Sequence, residues 1–538
     1  MANGRLRRLA TTTILPGLVY LAFFCVFTWP WTAHPGSRFF TDTGDGYQNV
    51  WNLWWVDHSV TVLHQLPWHT NLLHHPYGTS LLGQTMNPFN GLVSVVLLRF
   101  LPLVEAFNLM VVFSFVATGV TAFWLCRHFC RAFVPALVGG FVVTFSAFHL
   151  AKTLGLMQLV SLEWVPLFLL LWWRLLTHPR VSLAVGAAFT LLLVLLCDDY
   201  YFLFSVVAGA GILAHLWRGG ELRLDRRAGV VFVVVAGLLT APLPVALLAS
   251  NLQDPMSGGH PSGQFSADLF SLFLDGGHWR FASLTRWYWR SIRATAADSS
   301  IYLSVTVTAL LGVAVALRDR LGRHARFWLA FAAAAAVLSL GPTLVVHGTD
   351  TGLPLPFDLL RGAVPLLDYN LEPDRIMVMT TLAAGVLVAL VLSRLDLSRG
   401  RDGLAMAVVC VGLVLELWPA APPMAPVTRP AYVAALTRLP PGGVIDDAAV
   451  AHASVDKSLQ LYDQVLDGQP LAFGYISRTP RSVAAKDAEL GGAIAAHRYG
   501  VLCHTFGMRY FTTPASRPLP GSPPVLYDDG QAIIYNLC

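Results

Sequence analysis

Charge is what this 538-residue sequence has least of. Only 12% of its residues are charged, whereas 55% are hydrophobic; soluble domains carry roughly 25% charged residues. That balance excludes an ordinary soluble globule. Repeated apolar runs near the ~20-residue length of a bilayer crossing point instead to an α-helical polytopic membrane protein. Internal repeats, a P-loop, a dinucleotide-binding glycine signature and a Ser/His/Asp arrangement are all missing, so none of those chemistries is indicated. The seven cysteines form no framework. Cys25, Cys197 and Cys410 sit in apolar runs, where a thiol behaves as a small hydrophobe. Cys126 and Cys130 are one helical turn apart in CRHFC, but His128 faces away from them and a structural zinc site needs four ligands. Cys503 and Cys538 fall in the C-terminal tail, where a disulfide is allowed if the tail is exported. No small-residue cleavage site follows the first apolar run, Thr13 to Trp31, which therefore reads as a retained helix and not a signal peptide.

The charge that is present is unevenly placed. Arginines cluster at Arg5/Arg7/Arg8, Arg127/Arg131, Arg174/Arg180, Arg218/Arg223/Arg226/Arg227, Arg318/Arg320/Arg323/Arg326 and Arg394/Arg399/Arg401. Putting every cluster in the cytoplasm, as the positive-inside rule asks, gives about eleven crossings with the N-terminus inside and the C-terminus outside. The expected crossings are 13–31, 106–126, 132–150, 155–173, 181–197, 200–217, 228–250, 299–317, 327–346, 376–393 and 403–419. Counting the apolar run 88–104 would invert every later loop, so it is expected to be re-entrant or interfacial. A transmembrane domain, 1–424, then carries exoplasmic loops 32–105, 251–298 and 347–375. Beyond Pro419 the composition changes: APPMAPVTRP reads as a stiff linker, and 425–538 as a soluble exoplasmic α/β domain. Its helices are expected over 430–438 and 482–499, and its strands over Met508–Thr513, Val525–Tyr527 and Ala532–Leu537, the last two a hairpin through Asp528-Asp529-Gly530.

Chemistry concentrates in the first loop. Phe39–Val56 reads FFTDTGDGYQNVWNLWWV and sets Asp42 and Asp45 on a turn just past the first helix, with Gln48 and Asn49 following. A carboxylate there can act as general base or hold a divalent cation such as Mg or Mn; the plain alternative is an acid capping the next helix. Gly44 and Gly46 let the backbone approach a ligand. A second acidic pair, Asp198 and Asp199, lies in CDDYY between two apolar helices, on the same outer face under the charge rule. Ionisable groups at membrane depth usually mark function, although a tight solvent-exposed hairpin would also explain them. Glu163 and Lys152 could pair within the membrane or line a polar path. His74 and His75, in HHPYG, could contact a phosphate or hold the loop. Arg286, Arg290, Arg293 and Arg375 could bind an anionic head group through the planar guanidinium fork, and Arg478, in GYISRTP, could reach over the membrane domain. The tail's own acids, Asp446, Asp447, Asp456 and Asp463, lie in ordinary polar sequence, and no raised pKa is expected of them.

TDTGDGYQN after a first helix, together with HHPYG, resembles the glycosyltransferase C superfamily, in particular its protein O-mannosyltransferase and aminoarabinose-transferase branch. The nearest likeness is to uncharacterised bacterial members with a DGxQNxWNLWW-like loop and a tail like LYDQVLDGQPLAFGYISRTP. The resemblance implies an inverting transferase of the bacterial plasma membrane, using a polyprenyl-phosphate sugar donor and a glycan, lipid or protein acceptor. It implies Asp45 as catalytic base, Asp42 as its neighbour and Asp198 or Asp199 as a second acidic position. The D-x-x-D spacing departs from the family's adjacent acids or D-x-D, which leaves the metal requirement open. Two other functions compete: a lipid or sugar transporter or flippase, and a non-catalytic assembly protein of the same fold. Transporters bind near the midplane between repeated halves, whereas here the polar candidates gather on one side.

Overall fold

The computed structural model describes residues 9–258, 264–275, 277–292, 301–363, 372–452 and 458–538. The protein is a multi-pass helical membrane protein. A helix lies in each of the eleven expected ranges, but most are shorter or more broken than the hydropathy suggests. Among the described residues five are long and apolar enough to cross a bilayer: Ala10–Phe27, Leu103–Cys130, Phe133–Ala151, Asp199–Arg218 and Pro373–Leu392. Arg226–Thr240 and Pro242–Gln253 make a sixth if counted together, bent by 43° at their junction. Pro242 explains the bend, since its ring clashes with the preceding turn and it offers no N–H. Trp164–Thr177, Val181–Cys197 and Val305–Ala316 are apolar but shorter. The run at 88–104 forms only Pro88–Leu97, about 15 Å at 1.5 Å per residue, too short to span.

Close helix packing rests on small residues. A Cβ on Gly139 would lie 2.4 Å from the Gly385 carbonyl oxygen, so Phe133–Thr144 and Met377–Leu392 meet backbone to backbone. Every residue of Met377–Leu392 is buried, which makes it the central helix of the bundle.

The tail contains a four-stranded sheet in the order Val525–Asp528, Ala532–Asn536, Met508–Pro514, Gly443–Asp446. The first three strands are antiparallel to one another in turn, and the last pairs in parallel with Met508–Pro514. The expected hairpin is present, with Gly530 at φ +77° in its turn. Helices Ala431–Leu436 and Arg481–Ala495 fall where periodicity places them. Cys503 and Cys538 form a disulfide with 5.4 Å between their Cα atoms.

This tail is not closed on itself. Trp51, Trp55, Val56, Leu73, Leu81 and Met86 of the first loop share one apolar cluster with Tyr432, Leu436, Val444, Leu461, Tyr510 and Ile534 of the tail. Trp51 is fully buried, and its indole N–H donates to Gln464 Oε1 at 2.7 Å. The linker is stitched to the same loop: Ala425–Pro426 pairs with Arg38–Phe39, and the Tyr47 hydroxyl donates to the Pro426 carbonyl at 2.8 Å. A contiguous stretch of core thus joins segments almost four hundred residues apart, and positions whatever the tail brings to the acid loop.

Candidate active site

Asp45 opens the helix Asp45–Thr61, with Asp42 folded against its start. Asp42 Oδ1 accepts from the backbone N–H of Gly44 at 3.2 Å and of Gly46 at 2.9 Å. Asp42 therefore caps the first turn, the structural role open to it from sequence, and leaves Asp45 further along the turn. Gly46 is required sterically, since a Cβ there would sit 2.5 Å from Thr41 and 2.9 Å from Asp42 Oδ1. Gly155, at φ +85°, closes the other side: a Cβ on it would meet Asp42 Oδ1 at 2.8 Å and the Asp45 Cβ at 2.9 Å. Asn49 clamps this arrangement by donating to the Asp45 carbonyl at 2.9 Å and the Gly155 carbonyl at 2.6 Å.

The tail reaches the acid directly. The Tyr475 hydroxyl donates to Asp45 Oδ1 at 2.6 Å, and Gln48 Nε2 donates to the Tyr475 carbonyl at 2.8 Å. Further along, the Ser477 N–H donates to Gln84 Oε1 at 2.7 Å, and Thr479–Pro480 pairs with Met256–Ser257 of the second loop. GYISRTP is thus laced between two loops of the membrane domain. Tyr475 was not singled out from the sequence; only its place in the tail motif could have drawn attention to it, because nothing local announces which acid a distant tyrosine meets.

The second acidic pair lies on the same side. Arg478 is three residues from Tyr475, at most about 11 Å along the chain, and sits close enough to Asp199 and Tyr200 to act on both electrostatically. Asp198 is buried and caps the helix Asp199–Arg218 by accepting from the Tyr201 N–H at 2.9 Å. Arg375 is also buried; its guanidinium stacks 4.5 Å from the Tyr200 ring centroid and pairs with Glu372 at 2.6 Å. The neighbouring Asp374 takes Lys152 in a fully buried ion pair at 3.0 Å. Lys152 therefore does not pair with Glu163, as it could from sequence, because the chain entering the central helix presents Asp374 to it first. Glu163 is buried elsewhere, with neither carboxyl oxygen hydrogen-bonded among the described residues.

The other candidates make contacts of their own. His74 Nδ1 meets Asp487 at 2.9 Å, and the His75 N–H donates to the Leu471 carbonyl at 2.9 Å, so both hold the tail against the loop. Burial also pushes the His75 imidazole below its usual range. Arg286 and Arg290 are exposed on the second loop, where Arg290 lies over the Trp289 ring; Arg293 is outside the described residues. The expectation for the tail acids needs correcting for Asp446, Asp447 and Asp463, all raised by burial, while Asp456 lies outside the described residues. Asp446 is 5% and Asp463 1% exposed, and burial pushes Asp446 up to about 6 and Asp463 well above the usual carboxylate range. The sequence around them looks polar, but packing of Tyr432 and Leu461 against the sheet encloses both. Among the described residues no group of three His, Cys, Asp or Glu is placed to hold a metal ion.

The fold is that of glycosyltransferase C membrane enzymes. The chain is similar to ArnT from Cupriavidus metallidurans bound to undecaprenyl phosphate, at 13% identity and a TM-score of 0.50, covering 98% of each chain. It is similar to the mycobacterial arabinofuranosyltransferase AftD at 12% identity and a TM-score of 0.58, covering 97% of this chain but only 41% of that one. It is also similar to the Archaeoglobus fulgidus oligosaccharyltransferase in the apo form, at 11% identity and a TM-score of 0.50, covering 94% of this chain and 69% of that one. No curated protein matches the sequence. Residues 17–366, well over half of the sequence, match the model of DUF6311, described as a domain of unknown function, and the chain belongs to that family.

Proposed function

We propose that the protein is an inverting membrane glycosyltransferase that moves a sugar from a polyprenyl-phosphate-linked donor to an acceptor hydroxyl on the outer face of the membrane, with Asp45 as general base. The observation that carries this reading is the positioning of Asp45: capped turn, glycine-tight walls and a tyrosine donor on one carboxylate oxygen. That bond orients the carboxylate that takes the acceptor's proton. The acceptor oxygen attacks the anomeric carbon as its O–H bond breaks. The bond from that carbon to the phosphate oxygen breaks on the opposite face, and the electron pair leaves with the polyprenyl phosphate, already stable as an anion. Direct displacement inverts the configuration. Arg375 and Arg478, gathered near the Asp198–Tyr200 turn, are the cations suited to stabilise that departing charge. The likeness to ArnT over the whole of both chains supports the fold this chemistry needs.

The test is a transfer assay with purified variants and a panel of polyprenyl-phosphate sugars. Asp45→Asn keeps shape and polarity but cannot accept a proton, and is expected to lose about 10²- to 10⁴-fold in turnover while folding and binding donor normally. Asp42→Asn is expected to lose less. Near-normal turnover of Asp45→Asn would refute the reading and favour a transport or assembly role. Loss in both variants, with inhibition of the wild type by chelators, would replace the single base with a metal shared by the two acids.

A further inference from the structure

A second candidate site lies at the opposite end of the bundle. Asn108, near the start of Leu103–Cys130, holds the Arg38 and Pro35 carbonyls beside the acid loop. Arg127 comes nineteen residues later on the same helix, about 28 Å away at 1.5 Å per residue, which is close to the thickness of a hydrocarbon core. At that far end is a cavity of about 620 Å³, lined by Arg127, Arg131 and Arg174, by His128, and by an apolar wall that includes Leu167 and Leu171. The Trp124 indole N–H donates to the Thr12 carbonyl at 2.7 Å and ties the N-terminal helix in as one side of the wall.

The cavity's charge is uncompensated. Among the described residues none of the three arginines forms an ion pair, whereas acids of other segments are already taken: Glu221 by Arg323 and His324, Asp319 by Arg326. Arg127 Nη1 is buried with no hydrogen-bond partner, and its guanidinium is backed by the rings of Phe123 and Phe133 at 5.6 and 5.7 Å. A buried cationic donor without an acceptor is costly, and guanidinium matches phosphate oxygens two at a time. Basic pockets between transmembrane helices bind anionic headgroups in this way. We propose that this cavity binds the phosphate headgroup of an anionic membrane lipid, with its acyl chains along the leucine wall, on the membrane face that carries the arginine clusters.

The experiment uses the full chain in a nonionic detergent and counts retained lipid by native mass spectrometry during titration with phosphatidylglycerol, with phosphatidylcholine as the uncharged comparison. The triple variant Arg127→Gln, Arg131→Gln, Arg174→Gln is expected to weaken phosphatidylglycerol retention roughly 100-fold, at about fivefold per arginine, and to leave phosphatidylcholine unchanged. Leu167→Trp, which fills the cavity and keeps every charge, is expected to lose the same lipid and decides the matter should the triple variant not fold. Exposed Arg399→Gln is expected to change nothing. Equal retention in wild type and cavity variants would overturn the proposal. Displacement of the lipid by millimolar inorganic phosphate would also overturn it, by assigning the arginines to a soluble phosphate. Because the site is a membrane thickness from Asp45, failure here leaves the transfer reading untouched.

Discussion

Trp51→Ala is the most direct probe of how the tail is held over the acid. The indole is fully buried between the first loop and the tail, stacks on Trp55 with centroids 5.6 Å apart, and donates to Gln464. Truncating a buried Trp to Ala typically costs about 3–5 kcal/mol, and an acceptor left without its donor adds to that. Since Trp51 lies in the shared cluster, most of that loss falls on docking of the tail. At about 1.4 kcal/mol per tenfold, the undocked population rises roughly 10²- to 10³-fold. Hydrogen–deuterium exchange of the full chain reads this as a matching loss of protection in Ser458–Asp467 and Ala431–Leu436, with the central helix Met377–Leu392 unaffected. Trp54→Ala, at a partly exposed neighbour, is the control with a smaller effect. Unchanged protection of the tail helices in Trp51→Ala would refute the claim that loop and tail share one core. Wholesale loss, reaching the central helix, would refute the claim that the effect is one of docking.

Four further outcomes follow from the geometry. Tyr475→Phe removes one hydrogen bond to a carboxylate, worth about 1.5–3 kcal/mol; transfer is expected to fall roughly 10- to 100-fold, and the acid limb of the pH–rate profile to move upward because the ionised form has lost a donor. An unmoved limb would make Tyr475 a packing residue only. Burial raises Asp446 to about 6, so between about pH 4 and 6 the folded tail keeps a proton that the unfolded chain releases; tail stability is expected to fall as pH rises through that window. Denaturant unfolding at pH 4.5 and 6.5 measures this, and greater stability at the higher pH would reverse the argument. Reporter fusions after Arg223 and after Ala425 are expected to report opposite compartments, the tail's side being the oxidising one in which the Cys503–Cys538 disulfide persists; the same compartment for both would overturn the orientation. Gly155→Ala is expected to abolish transfer with little loss of helix content, because its Cβ would strike Asp42 and Asp45; full activity would show that the acid loop is not confined as described.

Several features were legible in the sequence because they depend on local composition. Scarcity of charge and the spacing of apolar runs determine a helical membrane protein, and the alternation at 508–513, 525–527 and 532–537 determines strands, since periodicity is a property of neighbouring residues. The turn chemistry of TDTGDG likewise announces Asp42 and Asp45 before any packing is known. Tertiary structure decided what no local pattern encodes. Asp45 became the tyrosine-bonded acid only because Tyr475 arrives from the tail, and the acid turn is walled in by Gly155 from another segment. Lys152 found Asp374 and not Glu163, and His74 found Asp487 of the tail. Asp446 and Asp463 sit in polar sequence yet lie buried, because burial is set by which surfaces meet and not by flanking residues. A sequence determines which segments have apolar faces to hide; the partner of each buried charge is chosen when those faces close, since the desolvation penalty depends on the three-dimensional surroundings alone.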